Sequence, residues 1–191
     1  MPPKVKLTKE MLTDAALELA RKEGVSAVGI RSLAAFVGCS TQPVLSNFAS
    51  ADALRQEVLD AAYRLYERRT SEQMRSGKYP EYKASGMAYI AFAREEPRLF
   101  SALFMREGGA GADDGSFIEG TIIPIIMKNL GLPPERARLF HLEMWTFVHG
   151  VAVMSATSYF TPTEEMISEM LTDVYLGTAA YHKEKNKNEN D

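Results

Sequence analysis

The 191-residue chain lacks most of the marks by which common protein classes are recognised. It has one cysteine, Cys39, which excludes an intramolecular disulfide and any cysteine-rich zinc site. No apolar run approaches about 18 residues without charge, so no transmembrane helix is expected. The opening stretch, MPPKVKLTKE, has no apolar core of the secretory kind. There is no nucleophile elbow, phosphate loop, HExxH or CxxC. None of the three histidines sits at a recognised catalytic spacing from a carboxylate. No alternating apolar–polar stretch is long enough for a strand. An enzyme is therefore not expected, nor a metal or cofactor, and a soluble cytoplasmic protein fits best.

What is present points to an all-α protein. Hydrophobic residues make up 46% of the chain, enough to fill a core. The net charge is −3, unevenly spread: the first third is mildly basic and the remainder acidic. Lys4, Lys6 and Lys9 precede or open the first helix, within reach of phosphates in a nucleic-acid complex.

Residues Val28 to Phe48, VGIRSLAAFVGCSTQPVLSNF, carry the main motif. Ile30, Leu33, Ala34 and Val37 share one face of a short helix. Gly38 ends it, because Gly accepts the left-handed conformation of a helix C-terminus. Ser40 is placed to cap a second helix over about Thr41 to Asn47. Two helices joined by a tight glycine turn form a helix-turn-helix, whose second helix enters the DNA major groove.

Around it, a first helix spans about Thr8 to Glu23, stopped by Gly24. A long helix follows from Ala51 into the mid-70s, with Leu54, Val58, Ala61, Ala62 and Leu65 inward. Further helices are predicted over Tyr82 to Glu95 and from Pro97. Another covers Phe117 to Asn129, with Pro124 as a kink. The last two run from Pro133-Pro134 to about Tyr159 and from Thr163 to about Tyr181. Glu107 to Gly115 reads as a flexible loop. The domains expected are a helix-turn-helix domain over residues 1–50, a helical domain over 51–182 and a disordered tail over 183–191.

This order of parts resembles the TetR family of transcriptional regulators. The likeness is strongest in "LTKEMLTDAALELARKEGVSAVGIRSLAAFVGCS" and "SNFASADAL", between Leu7 and Leu65. "AREEPRLFSALF" and "MWTFVHGVAV" resemble a carboxy-terminal subgroup with a Trp and a His-Gly motif. The resemblance implies a homodimer, usually a repressor, on a roughly palindromic operator. It also implies a small-molecule pocket in the carboxy-terminal domain. Ligand would release DNA by binding the non-DNA-binding state more tightly. The chain departs from the family pattern at Gly29, Cys39, Leu45, Asn47 and Ala51. Leu45 stands where the family usually has Tyr, and Ala51 where it has a phosphate-contacting Lys. These departures keep a second reading open, a helical ligand- or partner-binding protein with weakened operator binding.

The candidate DNA contacts are Arg31, Ser40, Thr41, Gln42, Pro43, Leu45, Ser46 and Asn47. Gln and Asn can pair bidentately with adenine, and Ser and Thr suit phosphates or bases. The candidate effector contacts are Phe92, Phe104, Met127, Trp145 and His149, within a chain dense in aromatic and Met side chains. Such a set suits a small apolar or aromatic ligand. His141, Trp145 and His149 recur at helical spacing. Eight residues of helix span about 12 Å, too far for both histidines to hold one ion at about 2 Å. Small residues Gly150, Ala152, Ser155 and Ala156, with the apolar stripe Ile167, Met170, Leu171, Val174 and Thr178, are candidates for a dimer interface.

Overall fold

The computed structural model describes residues 7–105 and 115–188. Among them are helices α1 (Lys9–Glu23), α2 (Ile30–Val37), α3 (Thr41–Asn47), α4 (Ala51–Arg75), α5 (Glu81–Glu95), α6 (Pro97–Phe104), α7 (Ile123–Leu130), α8 (Pro134–Ala156) and α9 (Glu164–Asn188). A 3-10 turn precedes α2 and a π-helical segment, Ile118–Ile122, runs into α7. No strand occurs among the described residues.

The helix boundaries follow local chemistry. The Thr8 hydroxyl accepts the Met11 N–H at 3.2 Å and caps α1. Gly24 ends α1 at φ 89 and Gly38 ends α2 at φ 75, both in the positive-φ region that Gly enters without a Cβ clash. Ser32 fixes the start of α2: its Oγ accepts the Gly29 N–H at 2.9 Å and donates to the Ala27 carbonyl at 2.7 Å. Pro97 and Pro134 open α6 and α8 in the first turn, where the missing N–H costs nothing. Pro124 likewise falls in the first turn of α7, just after the π-helical segment, so the irregularity precedes the proline.

Two expectations need correction. Helix α9 extends to Asn188, so the polar stretch from Lys183 continues it as a solvated helical end. Residues 189–191, the Glu107 to Gly115 loop except Gly115, and Lys4 and Lys6 lie outside the described residues. The second correction concerns division of the chain. One compact unit holds the described residues up to Leu65 together with α6, and the other holds Tyr66–Glu95 and the described residues from Gly115 onward. The boundary thus falls within α4 rather than at residue 50, and α6 belongs with the amino-terminal unit.

In the amino-terminal unit, α1 packs on α2 and α6, and α2 on α3. Leu12, Ala16, Val28, Leu33, Val44 and Leu54 are fully buried there. The carboxylate of Glu96, at the entry to α6, takes two bonds from the Arg21 guanidinium, at 2.9 and 3.0 Å. This fork holds α6 on α1, and Leu99 and Phe100 fill the space behind it.

In the second unit, α5 packs against α8 and α9, and α7 against α8. Phe140 is fully buried, with Tyr82, Tyr175 and His182 around its ring. At Gly86 α5 lies close against its neighbours: a Cβ there would sit 3.5 Å from Leu171 and Val148. Ala152, Ser155, Ile167 and Leu171 are buried within the chain, so those members of the proposed dimer stripes pack internally.

Candidate functional site

Helix α3 is short and uncharged, TQPVLSN. Val44 is its buried residue, and Phe48 just beyond is 3% exposed. These two anchor one side of the helix and leave Thr41, Gln42, Leu45 and Ser46 exposed on the other. Leu45 is half exposed, at 50%. Arg31 is exposed on α2. Arg55 of α4 donates from Nε to the Val28 carbonyl at 2.9 Å and fixes the approach to α2.

The predicted DNA residues are therefore gathered on one unit, with four adjustments. Ser40 occupies the N-cap position of α3 but its side chain makes no capping bond. The Ser46 hydroxyl donates to the Gln42 carbonyl at 2.9 Å, and the Asn47 amide donates to the Pro43 carbonyl at 2.8 Å. Both side chains are folded back on the helix, and Asn47 is only partly exposed. Pro43 is also partly buried. Lys9, considered for phosphate contact, pairs with Glu57 and lies over the Phe48 ring.

In the second unit, a cavity of about 420 Å³ opens between the end of α4, α5 and the start of α9. Met87, Ala88, Ala91, Phe92 and Ile167 supply its apolar wall. Its rim carries both signs of charge: Arg69 pairs with Glu95 at 3.2 Å, and Lys78 with Glu164. Lys78 and the Tyr79 hydroxyl both bond the Glu164 carboxylate and hold it below the usual carboxylate range.

Of the predicted effector residues, Phe92 lines this cavity. Its ring meets Tyr66 at 5.5 Å, Tyr66 meets Tyr89 at 5.8 Å, and the Tyr89 hydroxyl bonds His149 Nδ1 at 2.9 Å. Trp145 stacks on His149 one helical turn away, at 4.9 Å. Phe92, His149 and Trp145 thus belong to one aromatic chain, although only Phe92 touches the cavity. Met127 packs instead on the Phe140 cluster, and Phe104 lies in the other unit, against Phe100. Neither joins the cavity.

The tyrosines were not among the candidate contacts. Tyr82 bonds His141 Nδ1 at 3.1 Å as Tyr89 bonds His149. The tyrosines are seven apart on α5 and the histidines eight apart on α8, so two matched pairs lace parallel stretches of helix. That matching spacing was the available signal. Burial pushes both tyrosine hydroxyls far above their ordinary pKa, so they stay protonated. Burial lowers the pKa of both histidines below 6.5, a nearby Glu119 partly opposing this at His141. The neutral imidazole then presents Nδ1 as acceptor of the tyrosine O–H, with the proton on Nε2. Among the described residues no group of His, Cys, Asp and Glu side chains is arranged to hold a metal ion.

Residues 82–174 match the family model described as "Tetracyclin repressor-like, C-terminal domain". An uncharacterized HTH-type transcriptional regulator of Mycobacterium tuberculosis is 25% identical over 182 residues, covering 92% of this chain and 81% of its own length. The fold is similar to that of a putative transcriptional regulator from Pseudomonas aeruginosa PAO1, with a TM-score of 0.72, 18% identity and 92% of each chain covered. It is also similar to a TetR variant from Acinetobacter baumannii AYE in complex with minocycline, with a TM-score of 0.62, 20% identity and coverage of 93% and 99%. The helix-turn-helix, the match over residues 82–174 and these relatives together make the chain similar to the TetR-type transcriptional regulators.

Proposed function

We propose that the protein is an effector-responsive repressor that grips a palindromic operator as a homodimer and lets go when a small molecule fills its second unit. The observation that carries this reading is the pairing of an outward-facing α3 with a separate helical unit holding a 420 Å³ cavity. A cavity of that size, apolar on one wall and charged at its rim, suits a small amphipathic molecule with an apolar or aromatic body. Phe92 is the residue placed to pack against it, with Tyr89, His149 and Trp145 relaying any shift along α5 and α8. The Acinetobacter TetR variant of similar fold is in complex with a small molecule, minocycline.

The dimer rests on exposed apolar side chains. Leu139 and Leu142 on α8 are 43% and 55% exposed, and Leu176 and Tyr181 on α9 are 59% and 57% exposed. His182 bonds Glu143 and packs on Phe140, which brings the end of α9 beside the part of α8 that carries Leu139 and Leu142. A second copy of the chain is the occupant such a face suits, giving four helices around a two-fold axis. No helix among the described residues is long and apolar enough to cross a membrane, and a cytoplasmic, non-catalytic role accords with the reading.

Footprinting of the purified protein on DNA upstream of its own gene and its neighbours tests the proposal. A protected palindrome, lost on addition of an effector, supports it. The competing reading, a ligand-binding protein without a discrete operator, draws on the charge-free α3 and on Ala51. It requires binding at low salt that is weak and independent of sequence.

A further inference from the structure

Which bases the operator presents to α3 can be argued from what the helix exposes. Direct reading of guanine rests chiefly on Arg or Lys reaching N7 and O6. Helix α3 has neither, and no acid to accept from cytosine N4. Its two outward side chains of any length are Gln42 and Leu45, one helical turn apart on the same face. No hydrogen bond within the described residues holds the Gln42 amide. The shorter Ser46 and Asn47 donate instead to carbonyls of their own helix.

We infer that Leu45 reads the 5-methyl group of a thymine, beside an adenine paired with the Gln42 amide, so that the centre of each half-site under α3 is an A·T step. A leucine left 50% exposed at the middle of a major-groove helix needs an apolar surface to cover it on binding. The thymine methyl is the only apolar group that a base pair offers in that groove. Gln42, at the position one turn before it, has the carbonyl and amide needed to bridge adenine N7 and N6. This inference rests on the operator-binding reading above and gives it a base sequence.

The test uses the full-length protein and DNA selected from a random library at low salt. Each thymine of the enriched site is then replaced singly by deoxyuridine, which removes only the methyl group. At one thymine per half-site the replacement should weaken wild-type binding about fourfold, the effect of one buried carbon. Leu45→Ala should bind the unmodified site about as weakly as wild type binds the uracil form, and should be indifferent to the methyl. Gln42→Ala should relax the preference for adenine at the neighbouring position while keeping the methyl effect. Circular dichroism shows whether each variant is folded, and Leu45→Met, which keeps an apolar surface, provides a second probe: it should retain the methyl dependence. An enriched site with G·C pairs under α3, or a methyl effect equal in wild type and Leu45→Ala, overturns the inference while leaving operator binding intact. Failure to enrich any sequence overturns both.

Discussion

The His149 imidazole lies nearly flat on the Trp145 indole, with ring centroids 4.9 Å apart and planes 24° from parallel. They are four residues apart on α8, the spacing that places side chains one above the other. The far side of the imidazole is bonded to Tyr89. The middle of α8 is thereby tied to the buried face of α5.

Trp145 is the only tryptophan, so emission excited selectively at tryptophan reports this stack alone. Protonation of His149 places a cation against the indole face. Intrinsic fluorescence should therefore change on acidification with a midpoint below 6.5, because burial lowers the histidine's pKa. His149→Gln should abolish the transition, and Tyr89→Phe should shift its midpoint. A pH-independent emission in wild type would contradict the stacking.

The same histidines contribute to a loss of stability in mild acid. Unfolded, both titrate near 6.5; folded, both sit lower. Between those values the unfolded chain binds more protons, so stability is complete above about pH 6.5 and falls as pH drops through the folded values. Thermal melts at intervals from pH 7.5 to 5 check this. The double variant His141→Gln, His149→Gln should show a flatter profile over that interval than wild type.

Gly38 is a purely backbone requirement. Its φ is 75, and a Cβ there would meet nothing within 4 Å. Gly38→Ala should then lose about 1 kcal/mol from the left-handed conformation alone. Urea unfolding should give a lower midpoint with an unchanged slope.

Glu96 and Glu95 are adjacent carboxylates of opposite consequence. Glu96 is 9% exposed and forked by Arg21, whereas Glu95 pairs with Arg69 at the surface. Glu96→Gln should cost roughly 1–3 kcal/mol, since a charged bond is lost beside a partly buried guanidinium. Glu95→Gln should stay within about 0.5 kcal/mol. Paired urea titrations separate the two.

Leu142 is 55% exposed on the face assigned to the second copy. If the proposed pairing holds, Leu142→Glu should leave a monomer in sedimentation equilibrium where wild type is a dimer, and should weaken any operator binding. Met11→Glu, on an exposed apolar residue of α1, should leave the assembly unchanged.

The helices were legible in the sequence because their ends are chemically marked. Thr8, Gly24, Gly38, Pro97 and Pro134 fix boundaries by local rules that need no tertiary context. The end of α9 was not legible, because KEKNKN has no apolar period and reads as solvated chain whether or not it is helical. Trp145 and His149 declared their common face by a spacing of four. Tyr66 and Tyr89, which join them to Phe92, are on other helices, and a contact between helices leaves no local trace. That Phe104 and Met127 lie away from Phe92 was hidden for the same reason: an aromatic or a Met at helical spacing identifies a buried face without naming the neighbour it faces. The folding back of Ser46 and Asn47 depends on which carbonyls of α3 are accessible, a matter of rotamer rather than residue type.

The fork between Arg21 and Glu96 bears on the order in which the chain is made. Helix α6, which it fastens, is separated from the rest of its unit by the whole of Tyr66–Glu95. A ribosome releasing the chain from its amino terminus therefore delivers the helix-turn-helix well before the helix that covers α1. Until Leu99 and Phe100 emerge, their seat stays open to water, and the nascent unit is short of core. A fragment ending at Leu65 would be trapped in that state permanently, so the proposed operator and effector functions cannot be dissected simply by cutting the chain in two.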